Sequence, residues 1–324
     1  MLNSYDSELI ENCFREAGLA GKLADSSILK YRDSIKRFFS IVNKRLEELE
    51  LSDFKDFIAV MKNQGASSSR IANIISAIQR VIKDLQREGT IRNKLDTEKI
   101  MKPKIIRKEV NYLTEDEIVI FLDTIQADID AGSAIRKVRF MALTHILFQT
   151  GARIGEVLSI NIGDIDRQNK EIPVIGKGGK HRTLFTNDQT LYWIDQYLTL
   201  RKDKHHALFV ALNGVSRWKQ TDVGRSFRRY RVLSGIQKRF TLHTFRHTFA
   251  TQYLMKGAGI NVVQSALGHS DAVTTLKYYA GAVDKFKVKE MINDNHFAFI
   301  PQSALGNRFQ KVSKQNQEIS CAPA

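Results

Sequence analysis

Apolar residues recur at helical spacing through most of this chain. From Ser26 on, Ile28, Tyr31, Ile35, Phe38, Phe39 and Val42 return every three or four positions, with Lys30, Arg32, Lys36 and Arg37 between them. That period puts one face of a helix against a core and the other in water. Ser52 opens a second helix through Phe54, Phe57, Ile58 and Met61, which Gly65 ends. A third covers 68–87, with Ile71, Ile74, Ile75, Ile78, Val81, Ile82 and Leu85 inward and Arg70, Arg80 and Lys83 on its other face. The first hundred residues thus read as a helical bundle.

The periodicity lapses between Lys94 and Val110, where Lys99, Lys102, Pro103, Lys104, Arg107 and Lys108 gather. Proline and dense like charge suit an extended linker. The expected organisation is a bundle over 1–97, a basic linker over 98–111, a second domain over 112–293 and a polar tail over 294–324. Thr114 with Glu117 makes a capping box, so the second domain starts with a helix, reaching Ile125. A heavily apolar helix over 134–150 marks its core and stops at Gly151. Strands are expected over 162–165, 172–175 and 183–185, the last two joined by the turn Gly176-Lys177-Gly178-Gly179-Lys180. Helices resume over 189–201, 220–233, 244–255, 262–267, 273–279 and 284–292. The fold class is therefore mainly α with a small antiparallel β-sheet.

Charge narrows the partners. Fifty Lys and Arg against 35 Asp and Glu leave a formal charge of +15. Such an excess favours a polyanion, nucleic acid before an anionic membrane surface, because binding releases condensed counterions; a merely solvated basic surface is the alternative. Cys13 and Cys321 stand at opposite ends, so neither a disulfide framework nor a cysteine metal cluster is expected. Asp6, Glu8, Glu11 and Glu16 among the first twenty residues are wrong for a signal peptide, so none is expected there, and no apolar run is long enough to span a bilayer. A cytoplasmic protein, off the membrane, is the expectation.

Six polar residues interrupt these patterns: Arg153, Lys177, His243, Arg246, His269 and Tyr278. Together they supply what breaking a phosphodiester through a covalent tyrosine needs: two cations for the phosphate, a lysine and histidines to move protons, and an attacking hydroxyl. Taken singly they are ambiguous. Arg153 also reads as a surface arginine paired with Glu156, and the 176–180 turn as an ordinary hairpin tip, since no Walker spacing follows. His243 and Arg246, three apart, share a face if a helix starts near His243, and could converge on one anion at its N-terminus. His247, four from His243, has a zinc-like offset but lacks the intervening glutamate and a third ligand, so it reads as packed or supporting. Tyr278 and Tyr279 point about 100° apart on a helix, so one can pack while the other projects.

The blocks Thr150-Gly151-Ala152-Arg153-Ile154-Gly155-Glu156, Val174-Ile175-Gly176-Lys177-Gly178-Gly179-Lys180, His243-Thr244-Phe245-Arg246-His247 and Leu267-Gly268-His269-Ser270 through Tyr278 resemble, in order and spacing, those of tyrosine recombinases of the integrase and Xer type. The resemblance implies that Arg153 and Arg246 clamp the phosphate, Lys177 is the hairpin lysine that protonates the leaving 5′ oxygen, His243 takes the tyrosine's proton, His269 donates a hydrogen bond to the phosphate, and Tyr278 rather than Tyr279 is the nucleophile. It implies a two-domain DNA clamp, a helical core-binding domain with a catalytic domain, that exchanges one phosphoester for another through a 3′-phosphotyrosyl bond, with no cofactor and no metal. Four protomers would join two sites, each with paired inverted binding sequences, the helix over 284–292 docking on a neighbour. The resemblance also implies no extra arm-binding domain and no integron-type insertion. The length after Tyr278 tilts the expected role toward a mobile-element integrase or resolvase over a chromosomal Xer protein. A type IB topoisomerase and a catalytically silent DNA-binding regulator are the remaining rivals.

Overall fold

In the computed structural model, which describes residues 3–21, 25–105, 111–132, 134–176 and 179–268, the apolar stripes close two large cores, and a smaller third cluster gathers Phe249, Leu254, Val263 and Leu267. The chain divides into two compact units at residue 108. Among the described residues, helices dominate and the one sheet has two antiparallel strands.

The first unit is built from α1 (Ser4–Leu19), α2 (Asp25–Phe39), α3 (Leu51–Asn63) and α4 (Ser68–Arg87). Phe38 lies at its centre, with ring centroids 5.1 Å from Phe54 and 4.9 Å from Phe57. Helix α1 is capped by Asn3, whose side-chain oxygen accepts from the Asp6 amide at 2.7 Å. Its buried residues Ile10, Cys13, Phe14 and Ala17 are interleaved with carboxylates, which hide the stripe in the sequence. After α4 the chain does not leave the bundle at once. Ile91, Leu95 and Ile100 are buried in the same core, and Gln79 Nε2 donates to the Thr97 carbonyl at 2.8 Å. Apolar anchors spaced too widely for any regular period hold the start of the stretch expected to be extended.

The second unit opens with α5 (Glu115–Asp130), where the Thr114 amide donates to Glu117 Oε2 at 2.8 Å and Thr114 Oγ1 accepts from the Glu117 amide at 3.2 Å. Helix α6 (Ile135–Thr150) runs through the core and stops at Gly151, whose φ of +59° lies in the left-handed region. A β-carbon there would come within 2.6 Å of the Phe249 ring, so glycine is required on both counts. Helix α7 (Ile154–Ser159) follows. The strand expected over 162–165 is instead a turn of 3-10 helix, Ile162–Asp164. The Asp164 carboxylate accepts from the Asn161 amide at 2.8 Å and closes the turn before a ladder can start. Strands β1 (Glu171–Ile175) and β2 (His181–Phe185) pair with Glu171 opposite Phe185 and Ile175 opposite His181, turning Ile172, Val174 and Leu184 into the core. Then come α8 (Asp188–Thr199), α9 (Gln220–Leu233), α10 (Leu242–Met255) and α11 (Ile260–Leu267). Phe121, Phe227, Phe240 and Phe245 interlock at the base of α10; the Phe121 and Phe240 centroids are 5.6 Å apart at 83°. The helices expected over 273–279 and 284–292, and the polar tail, lie outside the described residues. No described helix is long and apolar enough to cross a membrane.

Candidate active site

Helix α10 begins where the Thr241 amide donates to Thr244 Oγ1 at 2.9 Å. Phe245, seated among the core aromatics and 4.1 Å from the Phe148 centroid, fixes the rotation of its first turn. His243 consequently stays on the exposed side while Arg246 turns inward and is only 2% exposed. Buried guanidinium needs acceptors, and two helix ends supply them. Nη1 donates to the Gly151 carbonyl at 2.8 Å and Nη2 to the Leu267 carbonyl at 2.7 Å. Gly151 caps α6 and Leu267 is the last residue of α11. Both oxygens lack partners within their helices and sit at negative dipole ends. The three-residue spacing of His243 and Arg246 thus gives one exposed and one inward group, since the shared face expected from spacing alone straddles the boundary of the core.

Arg153 caps α7, with about a third of its side chain exposed. Its amide donates to Glu156 Oε2 at 2.8 Å and its Nη1 to Glu156 Oε1 at 2.9 Å, so the Arg153–Glu156 pair is present. Glu156 is buried, and Arg182 Nη2 reaches its Oε2 at 2.7 Å. Burial pushes the Glu156 carboxyl up, but the Arg153 amide and the two guanidinium groups outweigh it and hold the pKa below the usual value. Arg153 is therefore fixed on a partly exposed turn by a buried carboxylate whose ionised form the two guanidinium groups and the Arg153 amide favour.

The surrounding protein desolvates His243, and Arg246 and Arg153 add like charge; together they lower its pKa below that of a free imidazole. Those causes place both guanidinium groups within electrostatic reach of His243 and leave the imidazole neutral, and so able to accept a proton, at neutral pH. His247 stands edge-on to His243, ring centroids 4.6 Å apart at 83°. Among the described residues, no three His, Cys, Asp or Glu side chains gather as a metal site.

At the base of the hairpin tip the Gly176 amide donates to the Lys180 carbonyl at 2.8 Å. Lys177 lies between them and outside the described residues, as do His269 and Tyr278. Of the six expected site residues, the structure thus sets the charges of Arg153 and Arg246 near His243. A cleft of about 940 Å³ opens beside Arg153, lined also by Arg182, Phe185, Phe249, Tyr253 and Gly268 among others. Sequence reasoning overlooks Arg182; its one signal is a cation two positions before the inward Leu184, on the same face of the strand.

Residues 111–285 match the phage integrase family, and residues 15–89 match the phage integrase N-terminal SAM-like domain. The chain belongs to the phage integrase family. It is a tyrosine site-specific recombinase, similar along almost its whole length to curated ones. Tyrosine recombinase XerD of Pasteurella multocida (strain Pm70) is 29% identical over 292 residues, covering 87% of this chain and 96% of that protein. That of Yersinia pestis is 28% identical over 296 residues, covering 88% and 97%. Among solved structures, XerH site-specific recombinase bound to palindromic difH substrate superposes with a TM-score of 0.69 at 22% identity, over 90% of this chain and 85% of that one. The Tn1549 transposon integrase in complex with circular intermediate DNA does so with a TM-score of 0.67 at 22% identity, over 87% and 98%. At such identities these two carry the tyrosine recombinase fold.

Proposed function

We propose that this tyrosine recombinase cuts and rejoins double-stranded DNA at paired inverted sites through a 3′-phosphotyrosyl intermediate. Tyr278 attacks the phosphorus as His243 takes its proton. Arg153 and Arg246 stabilise the charge that builds on the non-bridging oxygens. His269 adds a hydrogen bond to the phosphate, and Lys177 protonates the departing 5′ oxygen. Because one phosphoester replaces another, no nucleotide, cofactor or metal enters the scheme, and activity should survive EDTA.

The observation that carries this reading is that His243, on the exposed side of α10, lies close enough to Arg246 and Arg153 for their charge to favour its neutral form. It supports a general base beside two phosphate-binding cations, which a silent DNA-binding regulator does not need. The charge of +15 supports the polyanion. Incubation with a nicked suicide substrate tests the function: the wild type should give a covalent DNA adduct stable to denaturation, and Tyr278→Phe should give none while binding the site as tightly. Absence of any adduct from wild-type protein on its cognate site contradicts the enzyme reading, and relaxation of DNA without site dependence would favour a topoisomerase.

We further propose a homotetramer on two sites, in which the 284–292 segment docks on a neighbouring protomer. Truncation after Ala282 should leave a single-site complex and abolish tetrameric synapses in ultracentrifugation. For the biological setting there are two readings, integrase or resolvase of a mobile element and chromosomal Xer-type dimer resolution. The curated relatives' names favour the second. Inverted repeats bounding an excisable segment beside the gene would support the first; chromosome dimers accumulating when the gene is deleted would support the second.

A further inference from the structure

Arg182 joins three parts of the chain that are far apart in sequence. It lies on β2, opposite Val174, in the hairpin whose tip carries Lys177. Only 9% of its side chain is exposed, and it has two acceptors on different elements. Nη2 holds Glu156 Oε2 at 2.7 Å, and Nη1 donates to the carbonyl of Ala266 in the last turn of α11. Its stem lies flat against Gly268, where a β-carbon would come 2.7 Å from Arg182 Cδ. Gly268, at φ +63°, ends α11 immediately before His269.

The carboxylate it grips is the one that holds Arg153. Glu156 accepts the Arg153 amide and the Arg182 guanidinium on Oε2, and the Arg153 guanidinium on Oε1. Arg182 thereby fixes the angle of the carboxylate plane, and with it the direction in which Arg153 is presented. A planar fork with donors pointing two ways can serve a carboxylate and a carbonyl together, which an ammonium at the same place cannot do with the same geometry. We propose that Arg182 is a positioning residue of the recombination site. Through Glu156 it orients Arg153, and through Ala266 it sets the end of α11 that leads into His269, so that the hairpin, the arginine turn and the α11 end keep one relative arrangement. It touches no reacting atom.

The proposal rests on the assignment of Arg153 and His269 to the reaction. The test compares wild type, Arg182→Gln, Arg182→Lys, Glu156→Gln and the Arg182→Gln/Glu156→Gln double variant on a suicide substrate at saturating DNA, well below each variant's melting temperature. Arg182→Gln should lower the rate of covalent adduct formation by about 10–100-fold, the usual effect of losing an outer-shell support, with site affinity within about twofold of wild type. Its cleavage should fall on acidification in two steps, the His243 limb shared with wild type and a second from Glu156, which then keeps only Arg153 as a charged partner while burial raises its pKa. That pH difference should vanish in the double variant, which has no carboxylate at position 156. Arg182→Lys, which can reach one acceptor at a time, should fall between wild type and Arg182→Gln, and keeps the test open if the glutamine variant does not fold. Cleavage at the wild-type rate in Arg182→Gln, or a fall in cleavage matched by an equal fall in affinity with an unchanged pH profile, overturns the positioning role. No adduct from wild-type protein overturns instead the functional assignment on which it stands.

Discussion

Arg246 and Gly151, 95 positions apart, are joined by a 2.8 Å hydrogen bond from the Arg246 guanidinium to the Gly151 carbonyl. With the bond to Leu267, it makes one buried cation the common terminus of α6 and α11. Substitution by alanine strands both carbonyls in a dry setting. Arg246→Ala should lower the unfolding free energy by about 2–4 kcal/mol, as measured by urea denaturation. Arg246→Lys keeps the charge but cannot span both oxygens, so it should remain destabilised by about 1 kcal/mol or more. Wild-type stability in the alanine variant would show that the buried contacts contribute little.

The depressed pKa of His243 sets the expected pH dependence of cleavage. A base must be unprotonated to act, so the rate should rise with pH through the His243 pKa and level off above it. Desolvation first, then Arg246 and Arg153, place that midpoint below the ordinary imidazole value of 6.5. Single-turnover cleavage should accordingly be on its plateau by neutral pH, and His243→Gln should remove the acid limb. A midpoint above 6.5 in the wild type would mean that the site favours the imidazolium.

His145 offers a separate test of the core. It is buried on α6, stacked 5.9 Å from the Trp193 ring centroid, and desolvation pushes its pKa from 6.5 to about 4. The unfolded chain binds this proton more tightly than the folded one between those values, so stability is fully present above about pH 6.5 and declines as the pH falls toward 4. The loss is at most about 3–4 kcal/mol. Melting curves from pH 7 to 4 should show His145→Gln losing less stability on acidification than wild type. Parallel curves would place the histidine in water.

Much of the fold is legible because it rests on local periodicity. Helices α4 and α9 fall where Ile71 through Leu85 and Val223 through Tyr230 put their apolar residues, and the capping box at Thr114 and Glu117 is formed as its spacing implies. The 162–165 segment misleads because Ile162 and Ile165 look strand-like while Asp164 closes a local turn, a competition that no hydrophobic count registers. The site is legible only in part. Spacing alone shows neither that Arg246 turns inward and His243 outward nor that Arg182 supports Glu156, since both depend on carbonyls and carboxylates brought from distant segments by the core.

The central claim is that this chain breaks DNA by joining it to Tyr278. Covalent adduct trapped on a nicked suicide substrate should be digested with trypsin and nuclease, and the nucleotide-bearing peptide sequenced by mass spectrometry. The account predicts a single modified residue, Tyr278, carrying a 3′-linked nucleotide. A linkage at Tyr279, or at any residue other than tyrosine, would contradict it.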